Sequence, residues 1–400
     1  MSEAEKELIG LARLLRMTIE GHDMGSLGMK LIARAGEQPT DACALMDLAT
    51  ILQLRGEREL GLNIQRQALS MQQIYAVTGA SPEKAEIRVL LLMSEGDLMA
   101  NSPIECLIEN KNASLHIVYV TDKLGMPDSL PEHDLLFVAI AESEKNNPIL
   151  KKVSERIASW PVPVLNNPMH IAALSRDNCA VLLKDIPGLD MPQTVKLDRD
   201  GLERLSANDL AIKDVLGGGG YPVLIRPVDS HAGNELEKIA DVAGIRRYLA
   251  SSDSTEFYVS RFVDYRKADG QFRKYRIVLI AGRPYICHMA ISSYWMIHYA
   301  NAGMNESAEK RDEEARFMEG FDEFASRHAT AFKAINEKIG LDYLGIDCAE
   351  TVDGRLLIFE ADSCMIVHAL DPVDLYGYKQ KPINRLFDAF YEMLLDAKGT

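Results

Sequence analysis

The sequence predicts an α+β chain in three parts: an N-terminal helical module, a small parallel α/β domain, and a larger α+β region. Three observations predict it. Apolar residues recur at helical spacing through the first 80 or so positions, strands alternate with helices from about 86, and strand runs interrupted by helices follow from about 169. The boundaries fall at 1–82, 86–168 and 169–400, and a chain of 400 residues suits two or three domains.

The first part turns on the stretch DACALMDLATILQL, in which Ala42, Leu45, Leu48, Ala49 and Leu52 form a helical stripe and Asp41 can cap its start. Gly56 marks a turn, and ELGLNIQRQALSMQQIY reads as a second helix carrying Leu62, Ala68, Leu69 and Tyr75. The spacing of Leu48, Gly56, Ala68 and Leu69 resembles one tetratricopeptide helix pair. Stacked repeats need about three neighbours, so we expect a module packed on the rest of the chain or on a second subunit, in preference to a free peptide-binding groove.

The texture changes at residue 86. IRVLLLM reads as a strand, GDLMANSPIECLIEN as a helix, SLHIVYVT and HDLLFVAIAE as strands, and NNPILKKVSERIASW as a helix. Gly96 follows the first strand as a phosphate-binding turn would, but GDLMAN is not GxGxxG. A scaffold or substrate-binding lobe is the plain reading. Further on, LSRDNCAVLLKDIPGLDMPQTV reads as helix then turn, punctuated by Pro187 and Pro192. YPVLIRPV, EFYVSRFVDY, YRIVLIAGRPYICHMAIS and GRLLIFEADS are strand-like, and the acidic stretch 306–338 is helical.

Composition narrows the function classes. Apolar residues make up 47% and charged residues 26%, ordinary for a soluble globular protein. No run of about 18 apolar residues suggests a membrane span, and MSEAEKELIG lacks the pattern of a signal peptide, so a cytoplasmic protein is expected. A net charge of −15 argues against a nucleic-acid partner, although a local basic cluster suffices for one nucleotide. The six cysteines include no CxxC pair, which excludes zinc and disulfide frameworks on spacing and fits a reducing compartment.

The chemistry concentrates in LDYLGIDCAETVDGRLLIFEADSCM. Two strands joined by a turn at Asp353 and Gly354 bring Asp347 towards Glu360 and Asp362, which share one face of their strand. Three carboxylates on a β-ribbon are the oxygen ligands Mg²⁺ prefers; solvated edge charges are the alternative. In KYRIVLIAGRPYICHMAIS, Lys274 and Arg276 share a strand face and His288 lies on the return strand. The two cations are either salt-bridge partners or a clamp on phosphoryl oxygens. His288 is either a proton acceptor or a hydrogen-bonded core residue. SSYWMIHYANAGM, with Trp295, His298 and Tyr299, reads as a lid over an acceptor site or as a surface covered by the helix after it. Four glycines, Gly217 to Gly220, precede YPVLIRPV, and a second small loop, DSHAG, follows it.

In this order, xPVLIRP, the small loop, EFYVSRFV, KYRIVLIAGRP, LDYLGID and IFEAD resemble the ATP-grasp superfamily, closest to its RimK-like carboxylate–amine ligases. The resemblance covers about residues 86–395 and counts the α/β segment as a pre-ATP-grasp domain. It implies an ATP-grasp fold with ATP and Mg²⁺ as cofactors, the metal held by Asp347, Glu360 and Asp362, where family members commonly have Asn in place of Asp362. Arg226 stands at the position of a strand lysine that contacts the α- and β-phosphates. The loop at residues 229–233, with Ser230 and His231, matches the one that closes over the triphosphate. Ser260, Arg261 and Val263 match the hinge that holds adenine, Asp264 can reach the ribose, Lys274 lies beside the phosphates, and Arg276 matches the arginine that stabilises the reacting phosphoryl group. Gly217 to Gly220 then read as a connector with no phosphate role. The resemblance further implies amide formation through an acyl phosphate from a small-molecule or peptide carboxylate and an amine, with His288 a candidate base, in a homo-oligomer such as a dimer. A phosphotransferase and a turnover-deficient nucleotide-binding scaffold are the alternatives.

Overall fold

The computed structural model describes residues 7–77, 79, 83–230 and 233–399. The chain divides into two compact units, one made of residues 1–172, 341–344 and 362–400 and the other of residues 173–340 and 345–361.

In the first unit, helices α1 (Leu11–Ile19), α2 (Met24–Glu37), α3 (Ala42–Leu54) and α4 (Arg58–Met71) come first. Asp41 caps α3 as the sequence predicts, accepting from the Ala44 N–H at 3.0 Å. Gly56 follows at φ +84°, the turn between α3 and α4. Leu14, Met24, Leu31, Ala44, Leu48 and Ile51 form the buried core of this helical layer.

The second helix ends earlier than its sequence suggests. Residues 74–76 form strand β1 (Ile74–Ala76), paired antiparallel with β3 (Ala113–Tyr119). A β-branched residue and an aromatic at Ile74 and Tyr75 suit a strand, and the open edge of a sheet supplies the partner. Tyr75 is fully buried there, edge-on to Tyr119 with ring centroids 5.9 Å apart. The other strands of this sheet are β2 (Ile87–Met93), β4 (Leu135–Val138) and β5 (Val164–Leu165), in the order β1-β3-β2-β4-β5. All pairings except that of β1 are parallel, as the alternating strands and helices predict.

Between β2 and β3, only α5 (Ile104–Ile108) is helical. The preceding residues form a loop because Asn101 exchanges two hydrogen bonds with the Ser94 backbone, at 2.8 and 2.9 Å, and Pro103 precedes the helix. Helix α6 (Asn147–Ile157) begins with Pro148 in its first turn, where a missing N–H costs nothing.

Helix α1 has no side-chain cap of its own. Asp47 on α3 accepts from the Ile9 and Gly10 N–H groups at 2.9 and 3.2 Å, and Glu105 on α5 accepts from the Ala12 N–H at 3.4 Å. Gly10 sits at φ +87°, and a Cβ there would lie 2.5 Å from Glu105 Oε2, so no other residue fits. Two buried carboxylates from distant positions thus satisfy the start of one helix.

The second unit holds two sheets. The first is four-stranded and antiparallel, in the order β7-β10-β8-β9. Its strands are β7 (Thr194–Asp198), β8 (Val223–Pro227), β9 (Glu237–Ile239) and β10 (Glu256–Arg261). Leu202, Leu205, Val223, Ile225, Ile245, Tyr248, Phe257 and Val259 are among its core residues. The other sheet runs β12-β11-β13-β14-β6. It comprises β6 (Leu189–Asp190), β11 (Phe272–Ile280), β12 (Arg283–Ser292), β13 (Tyr343–Glu350) and β14 (Leu356–Asp362). Strands β11 and β12 turn tightly through Ala281 and Gly282, both at positive φ. A bulge after Arg276 leaves Arg276 opposite His288 and Ile277 opposite Ile286. The acidic stretch is helical as expected, in three successive helices, Ala308–Glu319, Phe321–Arg327 and Ala329–Ile339.

Burial raises the carboxyl of Asp47 to about 6 and that of Glu105 to about 7. The folded chain therefore holds protons on these groups at pH values where the unfolded chain has released them, and stability falls as pH rises through that interval. Urea midpoints are expected to rise as pH is lowered from about 7 towards 5, and this slope should flatten in an Asp47→Asn/Glu105→Gln variant. An unchanged slope in the variant would contradict the assignment.

Candidate active site

A set of charged side chains within the second unit forms the candidate site. Strand β11 supplies two of them by simple alternation. Arg276 grips Asp347 of β13 with two nitrogens, Nε to Oδ1 at 2.8 Å and Nη2 to Oδ2 at 3.0 Å. Lys274 Nζ lies 2.6 Å from Asp347 Oδ2 and also donates to the Ile297 carbonyl at 3.3 Å. Asp347 is 2% exposed. Burial alone would raise its carboxyl, but Arg276 and Lys274 overcome that and hold it well below the usual carboxylate range.

Glu360 lies one strand further, on β14, and is within electrostatic reach of Asp347. Burial again works to raise its carboxyl, and Arg176 and Arg226 bring it below its ordinary value. Arg176, in the first turn of the helix Arg176–Leu182, donates to the Glu360 carboxylate and to the Phe359 carbonyl. No sequence signal singled it out, since LSRDN reads only as a helix start.

Arg226 projects from β8, opposite in direction to its core neighbours Val223 and Ile225. Its Nε donates to Ser230 Oγ at 3.0 Å and its Nη2 to the Ser230 carbonyl, while Ser230 Oγ donates to the Pro227 carbonyl at 2.8 Å. Burial and the neighbouring Arg176 charge lower its pKa to about 10. Four cations (Arg176, Arg226, Lys274 and Arg276) thus surround two carboxylates, an excess of positive charge in a partly buried site. Such an arrangement suits a polyanion, and the guanidinium groups suit phosphate oxygens in particular.

The other predicted residues take up varied positions. Ser260 pairs with Leu224 and Thr194 in the β10 ladders, and Arg261 bonds Asp190 at 2.5 Å while its N–H donates to the Gln193 carbonyl at 3.1 Å. Val263 is half-buried, and the exposed Asp264 accepts from the Arg266 N–H and side chain at 3.1 and 2.7 Å. Next to them, Phe262 meets Trp295 edge-on at 5.7 Å and carries Lys238 Nζ 3.7 Å from its ring centroid. His288 lies against Tyr299 with ring centroids 4.7 Å apart. His231 lies outside the described residues. Gly217 to Gly219 are at positive φ, and an added Cβ would meet nothing within 4 Å at Gly218, Gly219 and Gly220.

The aromatic stretch after β12 divides between the two readings its sequence leaves open. Tyr299 donates to Glu314 of the helix Ala308–Glu319 at 2.8 Å, so that end is fastened to the covering helix. Trp295 is held on the other side, its carbonyl accepting from Tyr265 at 2.8 Å. Between them, His298 faces the charged cluster and packs on Gly233, where a Cβ would lie 2.6 Å from His298 Nε2.

Asp362, the last residue of β14, accepts from the Cys364 N–H at 3.0 Å and from its thiol. Among the described residues, no group of three or more His, Cys, Asp or Glu side chains is arranged to hold a metal ion. Asp347 and Glu360 are hard oxygen donors of the type Mg²⁺ takes, yet both are engaged by cations. They fit Mg²⁺ as the companion of a phosphate group that draws the cations away, and they do not fit a bare divalent ion.

No family model matches the sequence, and no curated protein matches it. Among solved structures, the chain is similar to D-alanine–D-alanine ligase from Bacillus anthracis complexed with ATP, at 13% identity and TM-score 0.46, over 78% of this chain and 98% of that one. It is similar to a RimK-domain ATP-grasp protein from Sphaerobacter thermophilus, at 18% identity and TM-score 0.42, over 78% of this chain and 100% of that one. The VanG D-Ala:D-Ser ligase from Enterococcus faecalis aligns at 14% identity and TM-score 0.46, over 77% of this chain and 99% of that one.

Removing Asp347 would leave Lys274 and Arg276 buried beside each other without a counter-charge. Asp347→Ala is expected to lower unfolding stability by about 3 kcal/mol, and millimolar pyrophosphate should recover part of the loss. Urea unfolding measures both; an unchanged stability would contradict the pairing.

Proposed function

We propose that the chain is an ATP-dependent ligase that joins a carboxylate to an amine through an acyl phosphate, with Mg²⁺ as the metal cofactor. The observation that carries the reading is the excess of cations around Asp347 and Glu360, which stand on neighbouring strands, with Arg226 bonded to Ser230 just after β8. The ordered motifs of the sequence support the same reading.

In the first step a substrate carboxylate oxygen attacks the terminal phosphorus of ATP, and ADP leaves. Lys274 and Arg276 neutralise the charge that spreads over the transferring phosphoryl oxygens, the main protein contribution to phosphoryl transfer. Arg226 and Ser230 hold the phosphates nearer the nucleoside, and the segment at residues 260–264 holds the base and ribose. In the second step the amine nitrogen attacks the acyl carbon, the C–O bond to phosphate breaks, and the nitrogen loses one proton. Asp347 and Glu360 would hold Mg²⁺, which shields the phosphate oxygens from the incoming carboxylate. Arg176 takes part by neutralising Glu360 until nucleotide and metal arrive.

Release of ADP together with free phosphate, only when both an acid and an amine are supplied from a substrate panel, is the expected result. ADP without free phosphate would indicate a phosphotransferase, and no nucleotide binding in the presence of MgCl2 would overturn both. MgCl2 alone should give no binding heat, since the carboxylates keep their cation partners until phosphate is present. Glu360→Ala is expected to abolish turnover; full activity in that variant would remove the metal assignment.

A further inference from the structure

His298 carries a buried ring nitrogen, Nε2, that no other group of the site satisfies. The residue opens the short helical turn Tyr299–Asn301. Its backbone N–H donates to Asn301 Oδ1 at 2.9 Å, and its carbonyl accepts from the Asn301 backbone N–H at 3.0 Å, which closes the turn. Nε2 is buried and has no hydrogen-bond partner. Either nitrogen of a neutral imidazole can carry the proton, so Nε2 is able to donate. The ring therefore holds a buried polar atom that requires a partner.

Its surroundings select the acceptor. The electrostatic neighbours of the ring are Lys274, Asp347, Arg276 and Glu360, and both oxygens of Asp347 are already bonded to the two cations. Burial, followed by the Lys274 charge, lowers the His298 pKa and keeps the ring neutral. A second cluster cation is thus not what His298 contributes. Gly233 packs on Nε2, with Met296 Sδ 3.2 Å from the position of an added Cβ, so the ring lies where the loop after β8 meets the segment after β12. Lys274 helps to hold that segment through the Ile297 carbonyl.

We propose that His298, through Nε2–H, donates a hydrogen bond to an oxygen of the terminal phosphate of the bound nucleotide. The inference rests on the nucleotide reading above. It chooses the terminal phosphate because the ring neighbours Lys274 and Arg276, the groups assigned to the transferring phosphoryl group. The consequence is discrimination: a triphosphate gains this bond and a diphosphate does not.

Calorimetric titration with AMP-PNP and with ADP, each with MgCl2, tests it on the full chain. His298→Ala removes the ring and keeps the backbone bonds of the turn to Asn301. His298→Asn keeps a side chain suited to capping the turn but cannot reach as Nε2 does. Both variants are expected to bind AMP-PNP about tenfold more weakly while ADP affinity changes by less than about twofold. Equal losses for the two nucleotides, no loss, or recovery of AMP-PNP affinity by His298→Asn would overturn the proposal, the last by showing that the reach of Nε2 is not needed. Wild-type protein that binds neither nucleotide would overturn the nucleotide reading and this inference with it, whereas wild-type binding with unaffected variants overturns the inference alone. Thermal unfolding midpoints matching the wild type within a few degrees establish that the variants are folded.

Discussion

A carboxylate buried in a β-sheet has to be paired, and in this chain Asp347 is paired twice over by Lys274 and Arg276. Much of the second unit follows from that requirement. Strands β11 and β13 must be neighbours, with the two cations of β11 on the face that meets Asp347. The alternation of β11 sends Tyr275 and Ile277 into apolar packing, Tyr275 stacking on Phe317 at 4.5 Å, while its charged partners face the site. Breaking one member leaves uncompensated charge in a low dielectric, so the pairs are fixed in composition.

The second constraint is how the cluster is covered. The segment after β12 is fastened at both ends, by Tyr265 to the Trp295 carbonyl and by Tyr299 to Glu314. Glu314 is fully buried and also accepts from the Met289 N–H at 2.9 Å, so one carboxylate ties the segment, the helix and β12 together. His298 is therefore presented by a short, doubly anchored piece of backbone, its own N–H bonded to Asn301 Oδ1. Gly233 on the facing loop has no side chain that could displace the ring, and its φ of +72° suits glycine.

Where burial and backbone periodicity decide the structure, the sequence was readable. The apolar runs of β2, β3 and β4 and the alternating β8 and β11 were legible as strands, and Asp41 as a cap, because local patterning and the fold agree there. Strand β1 was not, since Ile74 and Tyr75 continue a helical pattern and only the edge of a distant sheet makes them a strand. Lys274, Arg276, Asp347 and Glu360 could be placed near one another because strand faces follow from two-residue alternation. Arg176 could not, because its partner is 184 positions away and nothing in LSRDN marks it. Asp362 shares a strand face with Glu360 in the sequence, yet its carboxylate turns to the backbone and thiol of Cys364, a local bond that strand periodicity does not anticipate. The buried acids at the start of α1 were equally hidden, since a cap supplied from distant positions leaves no local signature.

The central claim is that the cations around Asp347 and Glu360 form a polyphosphate site that opens by exchange of counter-ions. A crystal structure of the chain with AMP-PNP and Mg²⁺ tests it most directly. The account predicts phosphate oxygens bonded to Arg226, Lys274 and Arg276, with Asp347 and Glu360 released to the metal and His298 Nε2 on the terminal phosphate. Nucleotide bound elsewhere, with Lys274 and Arg276 still gripping Asp347, would contradict it.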